Sequence, residues 1–215
     1  MRYLLNTFII LTALFFSACA SKEELNINKN IISFSLDKNI TIINAPKTVK
    51  SPVSFGLGVG SQIARHVGIS VGTSIRPNLS NDDALVLQRS LSLHNISLKN
   101  IIRNEFTNQM RNDDKYKDKF VSFGSNYVIH ILVPKYTLET SILSSKAQTQ
   151  ITIQVQILNK NAKVVYEDTQ ENSLKNENYS YERDMIINNA SFLEKSVQKA
   201  VSLTISKLIK EMKEN

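Results

Sequence analysis

Acid–base or metal chemistry needs side chains that converge, and three histidines are available for it: His66, His94 and His130. They are far apart in the chain, and none sits in a His-Glu-x-x-His helix that would aim two imidazoles at one zinc ion. No Gly-x-Ser-x-Gly turn is present to activate a serine, and no Gly-Lys-Ser/Thr loop to cradle a phosphate. His130 falls inside an apolar run and reads as a hydrogen-bonded strand residue rather than a base. The carboxylates lie mostly beside lysines, in loops and on helix surfaces where water solvates them. The sequence therefore predicts no catalytic residue, no metal ligand set and no cofactor. One nucleophile stands apart, Cys19, the only cysteine in the chain. Alone, it can form neither an internal disulfide nor a cysteine-based metal site.

The residues before Cys19 give its thiol a use. Arg2 supplies a positive start, Leu4 to Phe16 form an apolar core broken by Asn6 and Thr7, and small Ser17 and Ala18 follow. This is the layout of a signal peptide over residues 1–18, too short to span a bilayer core of about 30 Å. The tetrapeptide Phe16-Ser17-Ala18-Cys19 resembles the lipobox of bacterial lipoproteins, with Phe16 where that family usually has Leu. The resemblance implies that the Cys19 thiol receives a diacylglycerol, that the preceding peptide is removed, and that the new amine is acylated. The alternatives are an ordinary secretory signal followed by a free thiol, or an uncleaved anchor. In the same family an Asp directly after the Cys often marks retention at the inner membrane. Ala20 stands there, which implies the outer membrane.

With residues 1–18 removed, the rest is enough for one domain. The chain carries 26 basic and 19 acidic residues, and loss of Arg2 takes its formal charge from +7 to +6. On an extracytoplasmic protein this surplus fits contact with anionic lipid headgroups, lipopolysaccharide or peptidoglycan, or else serves solubility alone. Nucleic acid is excluded as a partner by the address and by the lack of a basic patch interleaved with stacking aromatics.

Residues 19–30 read as the lipidated cysteine and a polar tether, which could hold a domain over 31–215 up to roughly 35 Å from the lipid. Ile31 to Leu36 and Ile40 to Ile43 read as two short strands separated by Asp37-Lys38-Asn39. That tripeptide with Ile40-Thr41 also resembles the extended acceptor sequon of bacterial N-glycosylation, making Asn39 a candidate glycan site. Asn78, Asn95, Asn178 and Asn189 have the shorter sequon without the acid. Val53 to Ile75 carries two patterns at once. Gly56, Gly60, Ala64, Gly68 and Gly72 recur every four residues, as in close-packed helices. Against this, nine Val, Ile, Leu and Phe residues occupy odd positions only, and Gly is costly inside a helix. Two strands, near 53–59 and 67–75, are therefore expected as a Gly-rich β-ribbon, with Arg65 and His66 in the connection. Its bare face, formed by Gly56, Gly58, Gly60, Gly68 and Gly72, could accept a backbone from a second copy or a partner, or could cover the domain's own core.

Beyond Pro77, alternating Leu85, Leu87, Leu91 and Leu93 predict a strand leading into a helix, and Leu98 to Met110 follow helical spacing up to Asn112. Residues 113–119 read as an exposed charged turn. Tyr127 to Val133 predict a central strand that Pro134 bends. Gln148 to Ile157 predict a strand with one polar and one apolar face, and Asn159 to Ala162 a hairpin turn. Residues 171–188 read as a long polar loop. Ser191 to Glu194 has capping-box spacing ahead of a stripe from Leu193 to Met212, which predicts a terminal amphipathic helix. The fold class expected is α+β, a mixed or antiparallel sheet with two amphipathic helices packed on one face, plus the ribbon. From about Leu91 to Met212 this layout resembles the small outer-membrane lipoproteins of the YajG type. It is shared more loosely with auxiliary lipoproteins of envelope ABC transporters and with LptE-like proteins, whose Cys-Gly-Phe start is replaced here by Cys19-Ala20-Ser21. The resemblance implies a non-enzymatic accessory or binding protein held at the periplasmic side of the outer membrane. Its partners would be an envelope complex, anionic lipid or lipopolysaccharide. A surface adhesin or homo-oligomeric subunit built through the ribbon is the alternative.

Overall fold

The computed structural model describes residue 27 and residues 31–43, 81–140, 145–172 and 180–215. Cys19 with its leader, His66, and the ribbon with Gly56, Gly58, Gly60, Gly68 and Gly72 lie outside the described residues. Ile27, within the stretch read as a tether, is fully buried in the core.

The chain is α+β. In order it forms β1 (Phe34–Ile42), α1 (Asn81–Leu93), α2 (Leu98–Asn112), β2 (Tyr127–Thr140), β3 (Lys146–Asn159), β4 (Val164–Glu171), β5 (Tyr181–Glu182), α3 (Arg183–Asn188) and α4 (Ala190–Glu214). The sheet order is β1-β2-β3-β4, with β5 also paired to β3. β1 runs parallel to β2 and the other pairs are antiparallel, so the sheet is mixed.

Two irregularities set which side chains face the helices. On β2 the buried apolar residues are Ile129, Ile131 and Val133, then Tyr136 and Leu138, so the inward apolar positions change from odd to even. The register against β3 shifts between Leu132 and Lys135, where Pro134 has no N–H for the ladder. One extra residue there keeps the second half of the strand facing the core. On β1, four steps from Leu36 to Ile40 match two steps from Ile129 to Ile131 on β2. The sequence's two short strands are thus one strand with an excursion at Asp37-Lys38-Asn39, stitched by the Asn39 N–H to Asp37 Oδ1 at 2.9 Å.

The inward side of β3, with Ile151, Ile153, Val155 and Ile157, meets α4 through Leu193, Val197, Ala200, Val201, Ile205 and Leu208 in one cluster. Each Val, Leu or Ile among them contributes roughly 1.5–3 kcal/mol by leaving water. α2 adds Leu98, Ile102, Phe106 and Met110, four apart and so on one face. Its cap is Ser97, whose hydroxyl accepts from Asn100 N–H. Residues 81–93, expected to include a strand, are helical instead. The buried positions are Leu87, Ser90 and Leu91, a helical set, while Leu93 is largely exposed, so the leucine alternation was coincidental. The turn at 113–119 is anchored rather than merely solvated. Tyr116 is fully buried, packs edge-on against Phe34, and donates its hydroxyl to Met212 O at 2.6 Å near the end of α4. Part of the expected 171–188 loop is β5 and α3. α4 also begins earlier than the capping-box spacing indicated. Asn189 is its cap, its side-chain oxygen accepting from Ser191 and Phe192 N–H.

Between β4 and β5 the edge of β3 has no strand beside it, and side chains do the pairing. Asn172 Oδ1 accepts from Ile151 N–H at 2.7 Å and its Nδ2 donates to Thr149 O at 2.8 Å, while Thr149 N–H donates to Ser196 Oγ on α4 at 3.1 Å. All four residues are buried. Asn172→Ala leaves a buried donor and a buried acceptor unpaired and should cost about 2–4 kcal/mol, with Ser196→Ala costing about half as much, read from urea unfolding midpoints.

Candidate binding surfaces

A groove of about 1010 Å³ runs between α2 and α4. Asn100, Asn104 and Asn108 line one wall, and Glu194, Gln198 and Ser202 the other. Both sets are spaced by four, so each forms a straight ridge along its helix. Gln109 joins the walls beside the groove, its Nε2 donating to Glu105 Oε1 at 2.7 Å and to Ser202 O at 3.0 Å. Lys195 and Lys199 add cations, and His94 and Tyr181 also line the groove. Tyr181 packs edge-on against Phe192 at 5.2 Å, and His94 Nε2 lies 3.3 Å from Ile187 O. Amides both donate and accept, and both charge signs are present, so the groove suits a polar chain bearing hydroxyl or amide groups.

The side of the sheet turned away from the helices is also polar. Glu167 accepts from Gln154 and Gln156 across the β3–β4 pair, and Lys135 donates to Gln150 Oε1 at 2.9 Å with Glu171 Oε1 at 3.5 Å. Opposite Gln148 in register stands Glu139. Gln148 Oε1 and Glu139 Oε2 are both buried acceptors without a hydrogen-bond partner. Burial pushes the Glu139 carboxyl above its ordinary pKa, the Lys135 ammonium pulls it back, and Glu171 pushes it up again. A protonated carboxyl at Glu139 would carry a donor, where the ionised carboxylate has none.

The three histidines do not converge in the described residues. His94 lines the groove, His130 Nε2 meets Asp37 Oδ2 at 3.0 Å on the outward side of the sheet, and His66 lies outside the described residues. Asn39 is exposed on the β1 excursion, whereas the side-chain oxygen of Asn189 is engaged in capping α4. Among the described residues no group of three or more His, Cys, Asp or Glu could hold a metal ion, and no helix is long and apolar enough to cross a membrane. The sequence reading missed the groove and Glu139. The four-residue spacing of asparagines was visible in the chain, but a facing ridge from a helix some 90 residues later was not.

Glu139 gives a pH prediction. Because its folded pKa is raised, its contribution to stability is full below the unfolded glutamate value of about 4.3 and is lost as pH rises through the folded value. Urea midpoints measured across that window should fall with pH in the wild type. In Glu139→Gln, which keeps an N–H donor beside Gln148, the fall should be smaller.

No family model matches the chain, and no curated protein matches it. Among solved structures it is similar to a Xanthomonas campestris protein of the DUF330 family at 12% identity and a TM-score of 0.36, over 51% of this chain and 57% of that one. The chain thus spans little more than half the length of that protein. It is also similar to a PelC dodecamer from Paraburkholderia phytofirmans at 10% identity and a TM-score of 0.25, over 80% of this chain and 86% of that one.

Proposed function

We propose that the chain is a non-enzymatic lipoprotein of the bacterial outer membrane, anchored through Cys19 and facing the periplasm. In this reading it is an accessory or binding component of lipid or lipopolysaccharide handling, or of an envelope complex. The observation that carries it is the lone cysteine, set at the end of an apolar run and directly preceded by Phe16-Ser17-Ala18. Lipid attachment gives that thiol a use that neither a disulfide nor a cysteine-based metal site can. The groove between α2 and α4 supplies the contact surface. Its two polar ridges suit the hydroxyls and amides of a glycan or an extended peptide.

The second reading is a surface-exposed adhesin or a homo-oligomeric subunit. It rests on the bare face that Gly56, Gly58, Gly60, Gly68 and Gly72 would present if Val53 to Ile75 forms strands. Gly58→Val with Gly68→Val should then shift the oligomeric state measured by light scattering, while the accessory reading predicts no shift.

Growth of the host with labelled palmitate tests the main reading. The wild-type chain should carry label, lose residues 1–18 by mass spectrometry, and sediment with outer membranes. Cys19→Ala should carry none and move to the soluble fraction. An unlabelled wild-type chain would refute the anchor.

A further inference from the structure

The most exposed apolar side chains of the described residues include Phe123, 87% exposed, and Ile32, 75% exposed. They belong to one end of the molecule. Phe34 N–H donates to Lys119 O and Val121 N–H to Phe34 O, while Tyr127 N–H donates to Ser33 O, so the loop carrying Phe123 is sewn to the strand start carrying Ile32. Gly124, at φ +74°, shapes the turn at the loop's tip. The hairpin between β3 and β4 shares this end, because Tyr127 pairs with Asn159. In that hairpin Lys160 and Lys163 are exposed and make no ion pair among the described residues, while the loop before Phe123 carries exposed Asp114 and Asp118 alongside Lys115 and Lys117.

We propose that this end is a second membrane contact, with Phe123 and Ile32 inserting into the interface of an anionic bilayer while the lysines of the hairpin meet its headgroups. Two projecting side chains are far too small a patch for a stable protein interface, which needs about 800 Å² per partner, but are enough to enter the acyl boundary of a lipid leaflet. The unpaired lysines of the hairpin complement anionic lipid. The direction of the anchor agrees, and this part rests on the lipidation reading. Buried Ile27 lies eight residues after Cys19, a reach of roughly 28 Å, and its carbonyl accepts from the Ile31 N–H next to Ile32. A diacylglycerol and an N-acyl chain hold the protein to the membrane but leave the domain free to turn on its tether, so the tip would fix the orientation of the domain.

The chain contains no tryptophan, so Phe123→Trp introduces one tryptophan at an exposed site, excited selectively at the red edge beyond tyrosine absorption. The full chain, purified from the host membrane and reconstituted into phosphatidylcholine–phosphatidylglycerol vesicles with brominated acyl chains, should show blue-shifted and quenched emission. Ile32→Trp should behave alike. Leu93→Trp, 74% exposed at the C-terminal end of α1, should stay unquenched. Omitting phosphatidylglycerol should weaken the quenching severalfold. Quenching of Phe123→Trp no greater than that of Leu93→Trp would overturn the proposal, and so would a blue shift without quenching, which marks burial against protein. Mass analysis of the Cys19 peptide reports the anchor separately, so either idea can fail without the other.

Discussion

The structure depends on satisfying the backbone of β3, the strand at its centre. It is paired with β2 along one edge and with β4 and β5 along the other, and its inward residues carry the core. Wherever a strand is missing beside it, a buried N–H or C=O would be left unpaired, at a cost comparable to several favourable contacts. Asn172 and Ser196 close that gap. Ser196 belongs to α4, so the contact that completes the sheet also fixes the helix on it. The other end of α4 is held by the Tyr116 hydroxyl and by Lys115 Nζ, which donates to Lys213 O. Burial, with Asp113 adding to it, pushes the Tyr116 phenol well above its usual pKa, so it remains a donor at physiological pH.

With α4 fixed at both ends, the ridge of Glu194, Gln198 and Ser202 stands opposite the asparagines of α2. The groove follows from that placement. Its wall residues are mostly half-buried or exposed and add little to the core, leaving them available for contact. The end bearing Phe123 is likewise organised from below, by the ring cluster of Phe34, Tyr116, Phe120 and Phe106.

The α+β class, the polar-apolar alternation of β3, the hairpin after Asn159 and the stripe of α4 were legible in the sequence because each depends on short-range periodicity. The irregularity at Pro134 was legible because a proline has no N–H for the ladder, and the structure places a register shift there within one continuous strand. What could not be read depends on partners distant in the chain. Asn172 is one polar residue in a polar stretch until Ile151 and Thr149 are brought beside it, and Tyr116 is one aromatic among charges until Met212 arrives. The leucines from 85 to 93 fit a strand period as well as a helical one, and only packing decided between them. For function, the proposal for Cys19 rests on a linear pattern in the sequence, whereas the groove needed two helices to be brought together.

The most direct measurement of the central claim, an anchored protein that binds through this groove, is site-specific photocrosslinking in living cells. A crosslinking side chain at Asn104 should give a discrete adduct, absent when the same side chain stands at exposed Thr169 on β4. The adduct should disappear in Cys19→Ala. No adduct from Asn104, or one that persists in full without Cys19, would contradict the account.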